Sequence, residues 1–238
     1  MKYEKATVSM KNMTRHGDTA RLRYDEGCLG AHALNQIGDR WALLVVRELM
    51  FAPKRFRLLR AGLPGVTASV LAGRLAQLRD AGIVAHDERL GTYSLTELGI
   101  YSLTDAGRGL LPVLEALCRW ALTVPGHDPS RFISPSALMI SMGVNLMRER
   151  AGGREALGGF DFGEEAFEMR IAAGRVSTLG GARPDAPFVL RGNGNAMAAA
   201  VYGTAPVALL VAKGFIGAEG DIEAAQGFVD LFRLEPQP

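Results

Sequence analysis

The sequence predicts an α+β protein built in two parts. Three observations predict it. Apolar residues recur at helical spacing through residues 39–82, in three runs separated by Pro53 and by Pro64-Gly65. Residues 83–104 then leave and return as a two-stranded ribbon, with a further helical period behind it. In the second half hairpin patterns come first and Ala-rich helices later, which suits α+β with a mainly antiparallel sheet.

Composition narrows the classes. At 238 residues, 48% hydrophobic and 22% charged, the chain can bury one large core or two ordinary ones. Its longest apolar stretch, Ala205 to Ala212, is far shorter than the ~20 residues that span a bilayer, so no membrane partner is expected. The first residues are polar and lack the apolar run of a signal peptide. Two cysteines, Cys28 and Cys118, fit a reducing compartment, and the expected location is cytoplasmic. The net charge of +2 divides unevenly. Residues 1–126 hold 17 Lys and Arg against 12 Asp and Glu, and residues 127–238 hold 10 against 13. A basic half joined to an acidic half suits a nucleic-acid module joined to one that does not touch nucleic acid.

Residues 1–24 read as an arm carrying Lys2, Lys5, Lys11, Arg15, Arg21 and Arg23. It would serve DNA phosphates, a partner subunit, or only solvent. Gly27 to Ile37 starts a helix with Leu29, Ala33, Leu34 and Ile37 on one side. Cys28 falls in its first turn, where free N–H groups and the helix dipole favour a thiolate, so it is a candidate redox site. Cys28 and His32 together supply only two ligands, and no metal site is expected.

Asp39 stands at an N-cap position before Trp41, Leu44, Val45 and Leu49, and Ala52-Pro53 ends that helix. Phe56, Leu59 and Leu63 mark a second, shorter helix. Thr67 caps a third, with Val70, Leu71, Leu75 and Leu78 as its inner face and Gly82 as its stop. Short helix, turn, helix is the helix-turn-helix pattern, whose second helix enters a DNA groove. The outer face of the third helix is small: Ser69, Ala72, Gly73 and Ala76. Such a face allows close approach to a groove but offers few groups to read base edges. Thr67 and Ser69 are candidate direct contacts. Arg55, Arg74 and Arg79 would meet phosphates, or else Arg74 and Arg79 pair with acids such as Asp80.

Ile83 leads into the ribbon, whose tip carries Arg89, Gly91 and Thr92. The run Tyr-Ser-Leu-Thr occurs twice, at 93–96 and 101–104. The second copy is taken as the returning strand, because it runs directly into the next helix. A helix-turn-helix followed by such a hairpin is a winged helix. Thr104-Asp105 caps a helix through Leu110, Val113, Leu114, Leu117 and Trp120, whose apolar side suits a homodimer on a two-fold site in double-stranded DNA.

The run from Cys28 to Trp120 resembles the HxlR-type winged-helix regulators. The resemblance is carried by Cys28, Gly38-Asp39-Arg40-Trp41, Arg47-Glu48-Leu49, Arg55-Phe56, Leu63-Pro64-Gly65-Val66, Leu71 with Arg74-Leu75, and Ala81-Gly82-Ile83. Tyr101-Ser102-Leu103-Thr104 with Gly107, and Leu117 with Trp120, complete it. It implies a dimeric transcription regulator, in some relatives sensing oxidants or aldehydes through the cysteine that matches Cys28. Here Leu29 follows that cysteine, where the common residue is Pro.

Val124 to Pro129 reads as a linker, and Ser136 to Ala151 as an amphipathic helix. Phe167, Met169 and Ile171 alternate as in a half-buried strand, and Gly174 turns into Val176 to Leu179. Pro187 to Leu190 is a third strand. Asn195 to Tyr202 and Pro206 to Lys213 are helices, Phe215 to Glu219 a strand, and Asp221 caps a last helix through Phe232. The expected division is therefore an arm at 1–24, a winged helix at 25–124, a linker at 125–135 and a second domain at 136–238. The second half shows no Ser-His-Asp order and no metal spacing. Arg191-Gly-Asn-Gly-Asn195 reads as a turn with an Asn cap rather than a phosphate loop, so neither an enzyme nor a cofactor is expected.

Phe167-Glu-Met-Arg-Ile171 with Gly174-Arg-Val176, Phe188 to Gly192, Met197 to Gly203 and Gly214 to Asp221 are similar to the SCP-2 sterol-carrier fold. That resemblance implies a cavity for a hydrophobic small molecule or lipid. Its candidate liners are Met139, Met147, Phe167, Met169, Phe188, Met197, Leu209 and Phe215. The expected function is a DNA-binding regulator whose second domain senses a hydrophobic molecule. The alternatives are a thiol switch at Cys28 and a hydrophobic-ligand carrier that does not bind DNA.

Overall fold

The fold is described from a computed structural model, for residues 23–87, 99–181 and 183–234. Apolar periodicity produces four helices first: α1 (Leu29–Ile37), α2 (Ala42–Leu49), α3 (Phe56–Ala61) and α4 (Ala68–Asp80). The wing follows as β1 (Val84–Asp87) and β2 (Ile100–Leu103), paired antiparallel with Val84 opposite Leu103. The second Tyr-Ser-Leu-Thr copy is thus the returning strand, while the first lies outside the described residues, as do Arg89 and Thr92. Then come α5 (Asp105–Arg108), α6 (Leu111–Ala121), α7 (Pro135–Val144), α8 (Arg148–Ala151), β3 (Ala156–Asp161), β4 (Ala166–Ala172) and β5 (Arg175–Gly180). The chain closes with β6 (Phe188–Arg191), α9 (Gly194–Tyr202), α10 (Val207–Ala212), β7 (Gly217–Gly220) and α11 (Ile222–Val229).

Several local expectations are corrected. The N-cap of α2 is Trp41 rather than Asp39: the Asp39 backbone carbonyl accepts from the Ala42 N–H at 3.0 Å, and its carboxylate pairs with Arg74. The helix expected from 104 to 120 is broken at Gly109-Leu110, and α6 restarts with Pro112 in its first turn, where a missing N–H costs nothing. The helix expected over 136–151 begins one residue earlier, capped by the Ser134 hydroxyl, and is interrupted at Asn145. It is also not amphipathic: Ser136, Leu138, Met139, Ile140 and Met142 are all buried. Leu63 lies beyond α3 yet is buried, Phe215 precedes its strand, and α11 stops short of Phe232.

The larger sheet has the order β5-β4-β3-β6-β7. Its β3–β6 pairing is parallel and the other pairings are antiparallel, so the sheet is mixed. The strand that makes it mixed, β3, is absent from the strands the sequence pattern marks. Its Gly158-Gly159 pair hides the strand pattern, and the packing explains the pair. A Cβ on Gly158 would sit 2.7 Å from the Phe188 ring, and one on Gly159 would sit 2.8 Å from Pro184. Central position and close packing thus select the residues that look least like a strand.

Two hydrophobic clusters form. One joins α2, α3, α4, the wing and α6 through Val45, Leu49, Leu59, Leu71, Leu75 and Leu78. The other lies against the five-stranded sheet, around Phe160, Phe167, Met169, Phe188, Met197 and Phe228. Helix α7 serves both: Ile140 belongs to the first, while Leu138, Met139 and Met142 belong to the second. Phe51 packs against both as well.

Charge is buried between the clusters. The Lys54 ammonium lies 3.1 Å from Glu48, 2.5 Å from Glu165 and 3.0 Å from the Ser136 hydroxyl. Glu48 also accepts from the Ser134 hydroxyl at 2.6 Å and from Arg47 Nε at 2.9 Å. Burial pushes the Glu165 carboxyl above the usual carboxylate range, and the Lys54 charge draws it back.

Enlarging Gly158 tests the packing of β3. Gly158→Ala is expected to lower unfolding free energy by about 1–3 kcal/mol in urea titration, because a core already closed by Phe188 and Phe228 must shift to admit a methyl group.

Candidate nucleic-acid interface

Helix α4 is held from beneath and open above. Leu71, Leu75 and Leu78 recur at i, i+4 and i+7 and are fully buried, which fixes the face the helix turns outward. Thr67 starts it: the hydroxyl accepts from the Val70 N–H at 3.3 Å and lies 3.2 Å from the Ser69 hydroxyl. Gly82, at φ +68, ends it in a conformation suited to glycine. The outward face carries Thr67, Ser69, Ala72, Gly73 and Ala76, all exposed. A Cβ built on Gly73 meets nothing within 4 Å, so its glycine is not required by the fold of this chain.

Val70 corrects the expected inner face. It is 42% exposed, one position off the buried stripe, and adds an apolar group to the outward surface. Such a group suits a thymine methyl. The helix length and the strict spacing of the three leucines carried enough information to place Val70 outside.

The basic residues divide. Arg74 takes the second of its two expected readings, with Asp39 in place of Asp80: its side chain is mostly buried and pairs with the Asp39 carboxylate and with Gln77. Arg55 sits at the N-cap of α3 and is half-buried. Arg79 is exposed near the end of α4. Arg57 extends from the exposed side of α3 to Glu164 in the turn between β3 and β4. At the wing base His86 stacks on Tyr101 with ring centroids 4.2 Å apart.

Away from α4, an apolar groove of about 1030 Å³ runs between α1, α2, α6 and α7. Leu34, Ile37, Leu43, Val113 and Leu117 line it. On the apolar side of α1 Leu29 and Leu34 are exposed, while Ala31 is buried. Trp120, 64% exposed, stands near the end of α6.

Cys28 is the N-cap of α1 and is exposed. The backbone N–H groups of Ala31 and Gly30 stabilise its thiolate and hold the thiol below the ordinary cysteine range. Cys118 is the opposite case, its thiol pushed up by burial. In the second half, Met139, Phe167, Met169, Phe188 and Met197 are buried in one packed cluster. Met147 borders a separate, polar depression with Arg119 and Arg148, and Leu209 and Phe215 are exposed. The eight expected liners are therefore divided between a buried cluster, a polar depression and the exposed surface. Among the described residues no helix is long and apolar enough to cross a membrane.

Residues 36–127 match the HxlR-like helix-turn-helix family. Over 89 residues the chain is 36% identical to the uncharacterized HTH-type transcriptional regulator YvaP of Bacillus subtilis, covering 37% of this chain and 80% of that protein. The chain belongs to the HxlR-like helix-turn-helix family. A second relative, an uncharacterized HTH-type transcriptional regulator of Methanothermobacter thermautotrophicus, is 30% identical over 96 residues, 40% of this chain and 71% of that one. Among solved structures, the reduced form of the transcriptional regulator YodB from B. subtilis is 31% identical, with a TM-score of 0.37 over 42% of this chain and 98% of that chain. The family match places α2, α3, α4, the wing and α6 in one regulator module and ends before α7.

The two thiols give a direct check on the site at α1. At pH 7.5 iodoacetamide is expected to modify Cys28 several-fold faster than Cys118, read by peptide mass spectrometry, and unfolding in urea should remove the difference.

Proposed function

We propose that this protein is a DNA-binding transcription regulator that acts as a homodimer, by binding rather than by catalysis. The observation that carries the proposal is the surface of α4. A capped helix, fixed from beneath by three buried leucines, turns a row of small and hydroxyl side chains outward beside a wing. The wing and the exposed Arg79 extend that surface toward phosphates. Dimerisation is supported by the unpartnered apolar face of α1 and α6, where Leu34, Val113 and Leu117 are exposed around one groove. A second copy covers that face in this reading.

The hydrophobic effector expected for residues 136–238 rests on the SCP-2 resemblance. Its expected liners are packed, so an effector in this reading enters by displacing core side chains or by competing for the α1–α6 groove. Cys28 carries a second regulatory reading, favoured by its exposure and by the N–H groups that stabilise its thiolate. In that reading Cys28→Ser removes the response of DNA binding to diamide and leaves DNA binding itself in place.

Selection of duplexes from a random-sequence pool by the purified protein tests the main proposal. An enriched, salt-sensitive duplex supports it, and failure to enrich any duplex at low salt rejects it. Gly73→Glu is the matched variant. It faces open space, so thermal stability should hold or rise, while affinity for the enriched duplex should fall by at least about tenfold through charge repulsion at the groove. Leu117→Lys is expected to convert the dimer to monomer in light scattering at micromolar concentration.

A further inference from the structure

The segment between α2 and α3 is gripped by the second half of the chain. The Phe51 carbonyl accepts from the Gly180 N–H at 3.1 Å, at the end of β5. The Phe51 ring meets Phe167 of β4 edge-on, with centroids 6.2 Å apart. Three residues on, the Lys54 ammonium reaches Glu165 at 2.5 Å. Lys54 in turn is tied to the wing by backbone alone. Its N–H donates to the Tyr101 carbonyl and its carbonyl accepts from the Tyr101 N–H, each at 2.9 Å. One residue thus joins a strand of the wing to a carboxylate of the large sheet.

That carboxylate is itself rigidly presented. Glu165 closes the turn between β3 and β4: its carbonyl accepts from the Phe162 N–H at 2.8 Å, and the Asp161 carboxylate accepts from the Gly163 N–H at 2.8 Å. Both side chains are largely withdrawn from water, 1% and 8% exposed. An ion pair in that setting is screened weakly and constrains geometry, unlike the exposed pair of Arg57 with Glu164 one residue away.

We propose that Glu165 is a positioning residue for DNA binding: it fixes Lys54, and through the Lys54–Tyr101 hydrogen bonds it fixes the wing relative to α4. The proposal rests on the DNA-binding reading above. It assigns the large sheet a part in setting the geometry of the DNA-reading surface without touching DNA. A displacement of the β3–β4 turn is transmitted to the wing through one side chain.

Glu165→Gln keeps the size of the side chain and leaves Lys54 paired with Glu48. On the duplex enriched by the wild-type protein, it is expected to weaken binding about three- to tenfold, with the slope of affinity against salt unchanged. Glu164→Gln, in the same turn but on the exposed pair, should stay within about twofold. Hydrogen exchange reads the link directly: in Glu165→Gln the Lys54 and Tyr101 amides should exchange faster, while the β4–β5 amides keep their protection. Unchanged affinity with unchanged Tyr101 exchange overturns the proposal. So does weaker binding with faster exchange throughout the sheet, which is a general loss of fold, and so does an equal effect of Glu164→Gln. A wild-type protein that enriches no duplex rejects the DNA-binding reading and this proposal together, whereas enrichment with an indifferent Glu165→Gln rejects this proposal alone.

Discussion

A fully buried carboxylate organises the molecule. Glu48 sits on the inner side of α2 with no contact with water, and a charge in that position is tolerated only when it is surrounded by donors. Arg47 and Lys54 supply two charges from nearby in sequence, and the Ser134 hydroxyl supplies a donor from the far side of the linker. Even the turn after α3 is shaped by it. A Cβ on Gly62 would lie 2.3 Å from a Glu48 carboxylate oxygen, so the residue there is glycine. Taking one partner away from such a group typically costs about 3–5 kcal/mol, as much as truncating a large buried apolar side chain. The start of α7 and the end of α2 are therefore bound to one another by the need to satisfy one side chain.

The two halves differ in how openly their sequences announce them. Much of the first half was legible because α3 and α4 are bounded by residues with one physical reason to be there. Pro53, Pro64-Gly65, Thr67 and Gly82 bracket the helices, and Leu71, Leu75 and Leu78 allow only one inward face for α4. The second half hides its central strand. Gly158 and Gly159 carry no strand signal, and only the Phe188, Phe228 and Pro184 side chains packed over them reveal why they are there. The hairpin at Ala173-Gly174, by contrast, was legible through Gly174, which adopts positive φ together with Ala173.

Periodicity also has a blind side. It tells which residues share a face, not what the face meets. Leu29, Ala33 and Leu34 form a face on α1 as expected, and this face looks outward, while Val70, grouped with Leu71, Leu75 and Leu78 by spacing, is exposed. Likewise Met and Phe identities in the second half are compatible with a packed cluster and with a ligand cavity. What the structure adds is that Phe167, Met169, Phe188 and Met197 are buried in one cluster. Arg74 illustrates the same point for charge: its place on α4 suggests a phosphate, but Asp39 stands close enough to pair with it.

The sharing of α7 between both clusters bears on how such a chain can be rearranged. A linker at residues 125–135 suggests beads on a string, with each bead exchangeable. The packing imposes a stricter rule. Any replacement for the second half must arrive with an apolar side chain where Ile140 fills the first cluster, hydroxyls where Ser134 and Ser136 meet Glu48 and Lys54, and an acid where Glu165 stands. Recombination at the linker alone would satisfy none of these. The two halves constitute a matched set, and heritable change in one is constrained by the surface of the other.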